Sequence, residues 1–308
     1  MDPGVRSVFI MALIFVVSQL GALFMAASVL GEEYQAFENP NDPMIPVYYL
    51  VAIVLFTFGV LYVIKKKRED IVRIIFLGAV VYTVFYVILI VAIAALPGLL
   101  ALVLSLVLTG VLAYYLVKRP EWYVVDATGI LMAIGIVGIL GISLGILPVI
   151  ILLVALAVYD AISVYGTKHM VALADGVTSM RLPILLVIPK KRGYSYLRQA
   201  PLKEQLDRNE EREAMFMGLG DIVIPGVLIT SAFYYLGNDL VAGLGSNLLV
   251  ALGTLAGAMV GFAVLMRFVL RGNPQAGLPL LNGGAIAGYA LAYLLVFGDL
   301  GFGMTLPW

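Results

Sequence analysis

The sequence contains no cysteine and a single histidine, His169. A disulfide cannot form, and a zinc site built from cysteine and histidine has no set of ligands. Charged residues make up only 12% of the chain, and its formal net charge is zero. A soluble domain has about a quarter charged residues, and nucleic-acid binding needs a basic surface. We therefore expect neither a soluble domain nor a nucleic-acid-binding protein, and no metal or other cofactor.

Apolar residues take the place of the missing charges. They make up 62% of the 308 residues, and the mean hydropathy is +1.05. A membrane-spanning helix needs about 20 apolar residues, so the sequence predicts an all-α polytopic membrane protein with nine transmembrane helices. We place these helices at residues 8–30, 46–64, 71–96, 98–117, 124–144, 148–168, 215–236, 246–268 and 276–297.

The distribution of lysine and arginine predicts the orientation, because cytoplasmic loops are enriched in these residues. With a cytoplasmic N-terminus, all 19 basic residues fall on the cytoplasmic side. The opposite side then receives only acidic charges, at Glu32, Glu33, Glu38, Asp42, Asp239 and Asp299. We therefore predict a multi-pass protein of the cell membrane with a cytoplasmic N-terminus and an extracytoplasmic C-terminus.

One long cytoplasmic loop, residues 169–214, divides the chain. Residues 1–168 hold helices one to six, and residues 215–308 hold helices seven to nine. Within the loop, the apolar run 182–189 is too short to span a membrane and contains two prolines, so it favours a strand or an interfacial segment. The run 190–213 is charged and lacks an apolar period, which predicts a mobile or disordered segment.

Glycines recur at short intervals in two of the predicted helices. Small residues at four-residue spacing let helix backbones approach closely. We expect helix packing within the chain, rather than a dimer face, for two sets of glycines: Gly253, Gly257 and Gly261 in helix eight, and Gly135, Gly138, Gly141 and Gly145 in helix five.

Two acidic residues, Asp160 and Asp221, lie inside long apolar runs. A charge at membrane depth costs about 2.5–3.5 kcal/mol on insertion scales, so such residues usually have a function. Asp160 precedes the cytoplasmic end of helix six by eight residues, which is about 12 Å. Asp221 follows the cytoplasmic start of helix seven at about 9 Å. The two acids are therefore at similar depth on consecutive antiparallel helices, and their carboxyl groups can meet.

Two carboxyl groups in contact cannot both ionise cheaply, so one keeps a proton. The ionised group can take a proton from water while the neutral group donates to a carbonyl oxygen, which hydrolyses an amide without metal or covalent nucleophile. Gly218 and Gly220 beside Asp221 either admit a substrate backbone or serve helix packing. An alternative is an ion- or proton-coupled transporter or a cation channel with an intramembrane aspartate pair, although no repeated halves are visible.

Residues 141–145 match the GxSxG pattern of serine hydrolases. They lie at the outer end of helix five rather than at a strand-to-helix turn, and His169 is at the cytoplasmic end of helix six. A serine–histidine protease is therefore not predicted, and His169 is expected at the membrane interface. Asp126, near the inner end of helix five, is expected to be wetted rather than catalytic.

Three motifs together resemble the presenilin and signal peptide peptidase family: Tyr159-Asp160, Gly218-Leu219-Gly220-Asp221 and Gly277-Leu278-Pro279. The chain looks like an archaeal member. The resemblance implies an intramembrane aspartyl endopeptidase with nine spans, in which Asp160 and Asp221 are catalytic. It also implies substrate contacts at Tyr159, Gly218, Gly220, Gly277, Leu278 and Pro279. The family's Pro-Ala-Leu sequence is replaced here by Ala276-Gly277-Leu278.

The resemblance further implies that the partners are transmembrane helices of substrate proteins within the lipid bilayer. The orientation matches the presenilin-like subfamily, whose substrates have their N-termini outside. The substrate helix unwinds locally and is held as a strand, for which the backbone around Leu278 and the run Ile184–Ile188 are candidate partners. The sequence leaves a homo-oligomer open.

Overall fold

The computed structural model describes residues 3–28, 31–66, 69–167, 183–191, 193–198, 213–241, 243–271 and 275–304. Helices dominate this part of the chain. The α-helices are α1 (Pro3–Ser28), α2 (Ile45–Lys65), α3 (Glu69–Ala95), α4 (Gly98–Lys118), α5 (Trp122–Ser143), α6 (Ile146–Ala161), α7 (Leu219–Tyr235), α8 (Ser246–Val269) and α9 (Gly277–Phe297). A π-helix, Ile162–Thr167, continues α6. Two antiparallel pairs of strands complete the fold, β1 (Leu185–Pro189) with β2 (Ala214–Gly218) and β3 (Leu240–Val241) with β4 (Leu244–Gly245).

Seven helices of the described chain are long and apolar enough to cross a membrane. They correspond to α1, α3, α4, α5, α6 with its π-helical extension, α8 and α9. This confirms a mostly helical, polytopic membrane protein. The remaining two predicted spans, 46–64 and 215–236, fall on two shorter apolar helical segments, Ile45–Val60 and Leu219–Tyr235.

The predicted start of helix seven at residue 215 is wrong, because residues 214–218 form β2 and α7 begins at Leu219. The apolar run Met215–Met217 suits either a helix or a buried strand, and periodicity cannot separate the two in so short a stretch. Pairing with β1, from Leu185 opposite Gly218 to Pro189 opposite Ala214, decides the outcome. The strand form predicted as one option for the run 182–189 is confirmed over Leu185–Pro189.

The chain packs as two compact units, each built from three segments. The first comprises Met1–Ile14, Phe56–Gly135 and His169–Gly220. In it α3 packs against α4, and Asp126 of α5 accepts a hydrogen bond from the Val187 N–H of β1 at 2.7 Å. Asp126 is only 6% exposed. The expectation that it is wetted is therefore wrong, because an outward-facing N–H of the strand takes the place of water.

The loop residues 193–198 also belong to the first unit and contact its other residues. Tyr196 is buried, and its N–H donates to Glu121 Oε2 at 3.1 Å. The Ser195 hydroxyl donates to the other oxygen of that carboxylate at 2.7 Å. Residues 193–198 therefore make specific contacts within the fold, and the mobility of the run 190–213 stays a prediction. Residues 168–182, which include His169, and residues 199–212 lie outside the described residues.

The second unit comprises Phe15–Leu55, Ile136–Lys168 and Asp221–Trp308. Its largest packing contact joins α8 and α9. A Cβ added at Gly257 would clash with the Gly284 carbonyl oxygen, and one added at Gly261 would clash with the Leu280 carbonyl oxygen. The expected packing of the helix-eight glycines within the chain is confirmed, because only hydrogen atoms fit between these backbones.

The GxSxG residues serve structure in this unit. The Ser143 hydroxyl donates to the Ile139 carbonyl oxygen at 2.6 Å and accepts the Ala36 N–H at 2.8 Å. Gly141 of α5 lies directly against Thr230, as helix packing predicts. Gly145 instead lies at the turn before α6, where it lies against Asn41.

Candidate active site

Asp160 lies one residue before the end of α6 and is only 4% exposed. Its Oδ2 accepts the Leu278 N–H at 3.1 Å. Leu278 is the second residue of α9, where backbone N–H groups have no partner inside their own helix. The buried carboxylate therefore satisfies a donor that the start of α9 leaves unpaired.

Asp221 is the third residue of α7, and two contacts fix the first turn of this helix. The Leu219 N–H donates to the Ile184 carbonyl oxygen at 2.9 Å, which joins the helix start to the β1–β2 hairpin. The buried Gln19 of α1 donates from Nε2 to the Ile222 carbonyl oxygen, also at 2.9 Å. Gly226 makes room for this amide, since a Cβ there would clash with it. Within the second unit, Gln19 of α1 thus holds the helical turn that carries the carboxylate.

The first turn of α9 brings the two acids together. A Cβ added at Gly277 would lie 2.9 Å from Asp221 Oδ1, so this carboxylate lies directly against the glycine. The next residue, Leu278, donates its N–H to Asp160. Because the Gly277 Cβ position and the Leu278 nitrogen are within about 4 Å of each other, the two carboxylates lie within about 10 Å of each other. The structure therefore places both carboxylates at the first turn of α9, and the direct contact between them stays a prediction.

The other predicted substrate contacts are placed as follows. Tyr159 is half-buried next to Asp160, and Gly218 is the last residue of β2, opposite Leu185. Gly220 is exposed, and a Cβ there would meet no atom within 4 Å. Pro279 is the third residue of α9, in the first turn, where a missing N–H costs nothing.

The backbone around Leu278, expected to pair with the substrate strand, is extended only at Ala276. Ala276 has an extended backbone with φ −69° and ψ 122°, but the helix already begins at Gly277. Leu278 is therefore helical, and its N–H is taken by Asp160 rather than left free for a substrate.

Tyr165, a residue that sequence reasoning missed, holds the same segment from the other side. Its hydroxyl donates to Gln275 Oε1 at 2.6 Å and accepts the Ala276 N–H at 3.2 Å. It lies in the π-helix that continues α6, five residues after Asp160. No pattern in the sequence marks this π-helix, whereas the lone amide of Gln19 in the apolar run of α1 was a visible signal.

The chemistry of the site is that of carboxyl groups. Within the part of the chain that the structure describes, no three His, Cys, Asp or Glu side chains come together as a metal site. The arrangement consists of two carboxylates, one of them deeply buried, beside backbone N–H groups of a helix start. It supports proton transfer to and from a bound substrate.

Known proteins resemble this chain in sequence and in fold. The sequence profile of the family described as signal-peptide peptidase, presenilin aspartyl protease matches residues 11–298. A solved structure of a presenilin family intramembrane aspartate protease in space group C222 is similar at a TM-score of 0.64 and 30% sequence identity, covering 92% of this chain and 96% of that chain. A second structure, in space group P2, has a TM-score of 0.64 and 31% identity over the same shares. A search of curated protein sequences returns no significant match.

The family profile matches almost the whole chain, and the solved structures share its fold at 30–31% sequence identity. Such agreement excludes a chance similarity in the pattern of apolar helices. It does not favour a transporter. The chain belongs to the signal peptide peptidase and presenilin family, and it is an integral, multi-pass membrane protein that acts as an intramembrane aspartyl protease.

Proposed function

We propose that Asp160 and Asp221 are the catalytic pair of this protease and that they hydrolyse peptide bonds within transmembrane segments. The observation that carries the proposal is the convergence of both carboxylates on Gly277 and Leu278. In the reaction, the ionised carboxylate takes a proton from water, whose oxygen attacks the scissile carbonyl carbon. The other carboxyl group donates its proton to the carbonyl oxygen. Return of a proton to the amide nitrogen then breaks the C–N bond.

The surroundings of the pair support this chemistry. Burial of Asp160 keeps bulk water away and strengthens electrostatic interactions at the scissile bond. Gly277 allows the Asp221 carboxylate to approach the α9 backbone, which a side chain would prevent. The open space beside Gly220 leaves room for a substrate backbone next to Asp221. Tyr159, Gly218, Leu278 and Pro279 remain predicted substrate contacts.

The substrate is proposed to bind as a strand that pairs with the β1–β2 hairpin. The outer edge of β2 is better suited to this pairing than the outer edge of β1. Two hydrogen bonds join the strands at the ends of the hairpin: the Leu219 N–H donates to the Ile184 carbonyl oxygen, and the Lys190 N–H donates to the Glu213 carbonyl oxygen. Because bonded pairs alternate with non-bonded pairs in an antiparallel ladder, every second residue between them points its backbone N–H and C=O away from the partner strand. On β1, the outward Val187 N–H is taken by Asp126, and Pro189 has no N–H. This revises the expected pairing with the run Ile184–Ile188.

On β2 the residues that face outward are Ala214, Phe216 and Gly218. Gly218 is the last of these and precedes Asp221 by three residues in the sequence. An added strand gains main-chain hydrogen bonds that an intact substrate helix cannot offer.

We further propose that α2 and α7 also span the membrane, which makes nine spans. α2 has 21 residues, and α7 has 17 residues, about 26 Å long, at the lower limit for a spanning helix. Nine spans with a cytoplasmic N-terminus place every basic residue inside and the C-terminus outside. The three-part division at the loop 169–214 follows from this topology, and the fitting substrates have extracytoplasmic N-termini.

The purified protein in liposomes, incubated with a model transmembrane substrate, tests the function. We expect two peptide products, identified by mass spectrometry, and no products in the presence of a transition-state analogue of aspartyl proteases. The rate should be bell-shaped in pH, because a fully protonated pair lacks the base and a fully ionised pair lacks the acid. Products that persist with the analogue, or a rate that rises monotonically with pH, would contradict the two-carboxylate mechanism.

A further inference from the structure

A cavity of about 470 Å³ lies in the first compact unit, between the first turns of α1, the first turns of α5 and the strand β1. This volume is within the range of small-molecule sites, about 300–1,000 Å³. The cavity extends from Arg6 to Ile14 along α1 and from Trp122 to Ile130 along α5. Each stretch is about 12 Å long. Both helices are long and apolar enough to cross a membrane, and a cavity at their first turns is suited to the headgroup and upper acyl chain of a lipid.

The deep part of this cavity is apolar. Ile10 and Ile14 line it from α1, and Ala127 and Ile130 line it from α5. Their spacings of four and three residues place each pair on one face of its helix. Ile188 of β1 closes the wall. A hydrocarbon chain fits such a wall, whereas a polar ligand would leave its own groups unsatisfied there.

Arg6 lines the cavity, and no acidic side chain of the described residues forms an ion pair with it. Arg6 donates from one guanidinium nitrogen to the Lys190 carbonyl oxygen at 3.1 Å. Its Nε is buried without a hydrogen-bond partner. Within the described residues, the ion pair is formed by Lys191 with Glu213, at 3.1 Å, and it does not include Arg6. A buried guanidinium donor that lacks an acceptor is expected to bind an anion.

Two further groups of the cavity wall bear on the sign of its charge. Asp126 lines the cavity as well, but its Oδ1 is committed to the Val187 N–H of β1. Tyr194 lies at the mouth, and burial raises the pKa of its hydroxyl, with the nearby Tyr196 and Glu213 adding to the effect. Tyr194 therefore remains neutral, and the buried Nε of Arg6 is the cationic donor of the cavity wall that has no hydrogen-bond partner.

We propose that this cavity binds an anionic phospholipid of the cytoplasmic leaflet, with the phosphate on Arg6 and part of an acyl chain along Ile10, Ile14 and Ile130. Basic pockets between transmembrane helices on the cytoplasmic side are suited to anionic headgroups, and Trp122 and Tyr123 add the aromatic residues typical of the membrane interface. The site needs neither the catalytic aspartates nor a substrate.

The bound lipid would brace the hairpin as well as the helices. Besides the contact of Arg6 with Lys190, the Ser7 hydroxyl donates to the Pro189 carbonyl oxygen at 3.4 Å. Both bonds join the first turn of α1 to the end of β1, and Ile188 and Pro189 form part of the cavity wall. Occupation of the cavity should therefore raise the melting temperature of the protein, since a ligand of the folded state stabilises it.

Native mass spectrometry of the full chain, with phosphatidylglycerol or phosphatidylcholine of equal chain length, tests the proposal. We expect about a fivefold preference for phosphatidylglycerol, the contribution of one basic side chain near an anionic lipid. Arg6→Gln should remove the preference, whereas Arg271→Gln, the same change at an exposed arginine outside the cavity, should keep it. Ile130→Trp, which fills the apolar wall, should weaken binding of both lipids while Arg6 is intact.

The same variants are followed by thermal unfolding, in which folded variants are recognised by a cooperative transition. Phosphatidylglycerol should raise the melting temperature of the wild type and of Arg271→Gln but not of Arg6→Gln. Inorganic phosphate alone should not raise it. Equal binding of the two lipids, an unchanged preference in Arg6→Gln, or stabilisation by phosphate alone as large as that by the lipid would overturn the proposal.

Discussion

Single residues at the start of α9 contact the two carboxylates, and a tyrosine of the π-helix holds the segment that precedes them. Gly277 leaves room for Asp221, Leu278 donates to Asp160, and Tyr165 holds the preceding Ala276. Sequence reasoning found both aspartates, because charge inside an apolar run is costly and therefore visible. The sequence does not reveal the groups around these aspartates, because neither a backbone N–H nor a tyrosine in a π-helix stands out in an apolar run.

Gly277→Ala should lower the cleavage rate while leaving the fold intact. The added methyl group would lie 2.9 Å from Asp221 Oδ1, and this carboxylate end can swing away at little cost to stability. A displacement of about 1 Å in a reacting group can cost about a hundredfold in rate. The measurement is cleavage of a transmembrane substrate beside a thermal melt. Gly283→Ala on the same helix, where a Cβ meets nothing within 4 Å, is the control and should cleave normally.

Tyr165→Phe should reduce kcat about tenfold with little change in KM, because the hydroxyl positions the backbone that contacts the acids rather than the substrate. The variant loses two hydrogen bonds, to Gln275 and from Ala276. Tyr82→Phe, at an exposed tyrosine of α3, controls for loss of a hydroxyl. An equal kcat in both variants, or a change confined to KM, would show that Tyr165 does not position this segment.

Among the secondary-structure elements, the sequence predicts the long helices but not the pairing of the short strands. The β1–β2 hairpin pairs residues that are 25 or more positions apart in the chain. Local patterns could therefore neither start helix seven at Leu219 nor choose between a strand and an interfacial segment for β1. Asp126 was misjudged for the same reason, since its partner Val187 is distant in sequence. The glycine spacing in α8 was readable, because its consequence, close backbone contact, is local to each helix.

Phe216→Pro tests the proposed edge of β2 for the substrate strand. The Phe216 N–H faces away from β1, so its loss removes a donor for an added strand while leaving the β1–β2 ladder complete. We expect cleavage to fall about tenfold with an unchanged melting temperature, measured on purified protein in detergent. Phe216→Ala keeps the N–H and separates the loss of the side chain from the loss of the donor. Similar cleavage by the two variants would remove this edge from the binding site.

For the whole molecule, the basic residues predict an orientation that the positions of the helices alone do not show. Single cysteines on this cysteine-free chain report the side of each loop. In sealed, right-side-out membranes, an impermeant thiol reagent should label a Glu38→Cys variant and leave a Lys191→Cys variant unlabelled until the membrane is opened. External labelling at position 191 would reverse the orientation and, with it, the expected polarity of the substrate.

The central claim is that Asp160 and Asp221 act as one catalytic unit, and cleavage by their asparagine variants tests it most directly. Asparagine is nearly the same size as aspartate and removes the ionisable group, so each variant should fold. Asp239→Asn, the same change at an exposed acid, should cleave like the wild type. Asp160→Asn and Asp221→Asn should each cleave at less than about a thousandth of the wild-type rate, and the double variant should be no slower, because the effects of residues that act together are not additive. A folded single variant that still cleaves near the wild-type rate would contradict the two-carboxylate account.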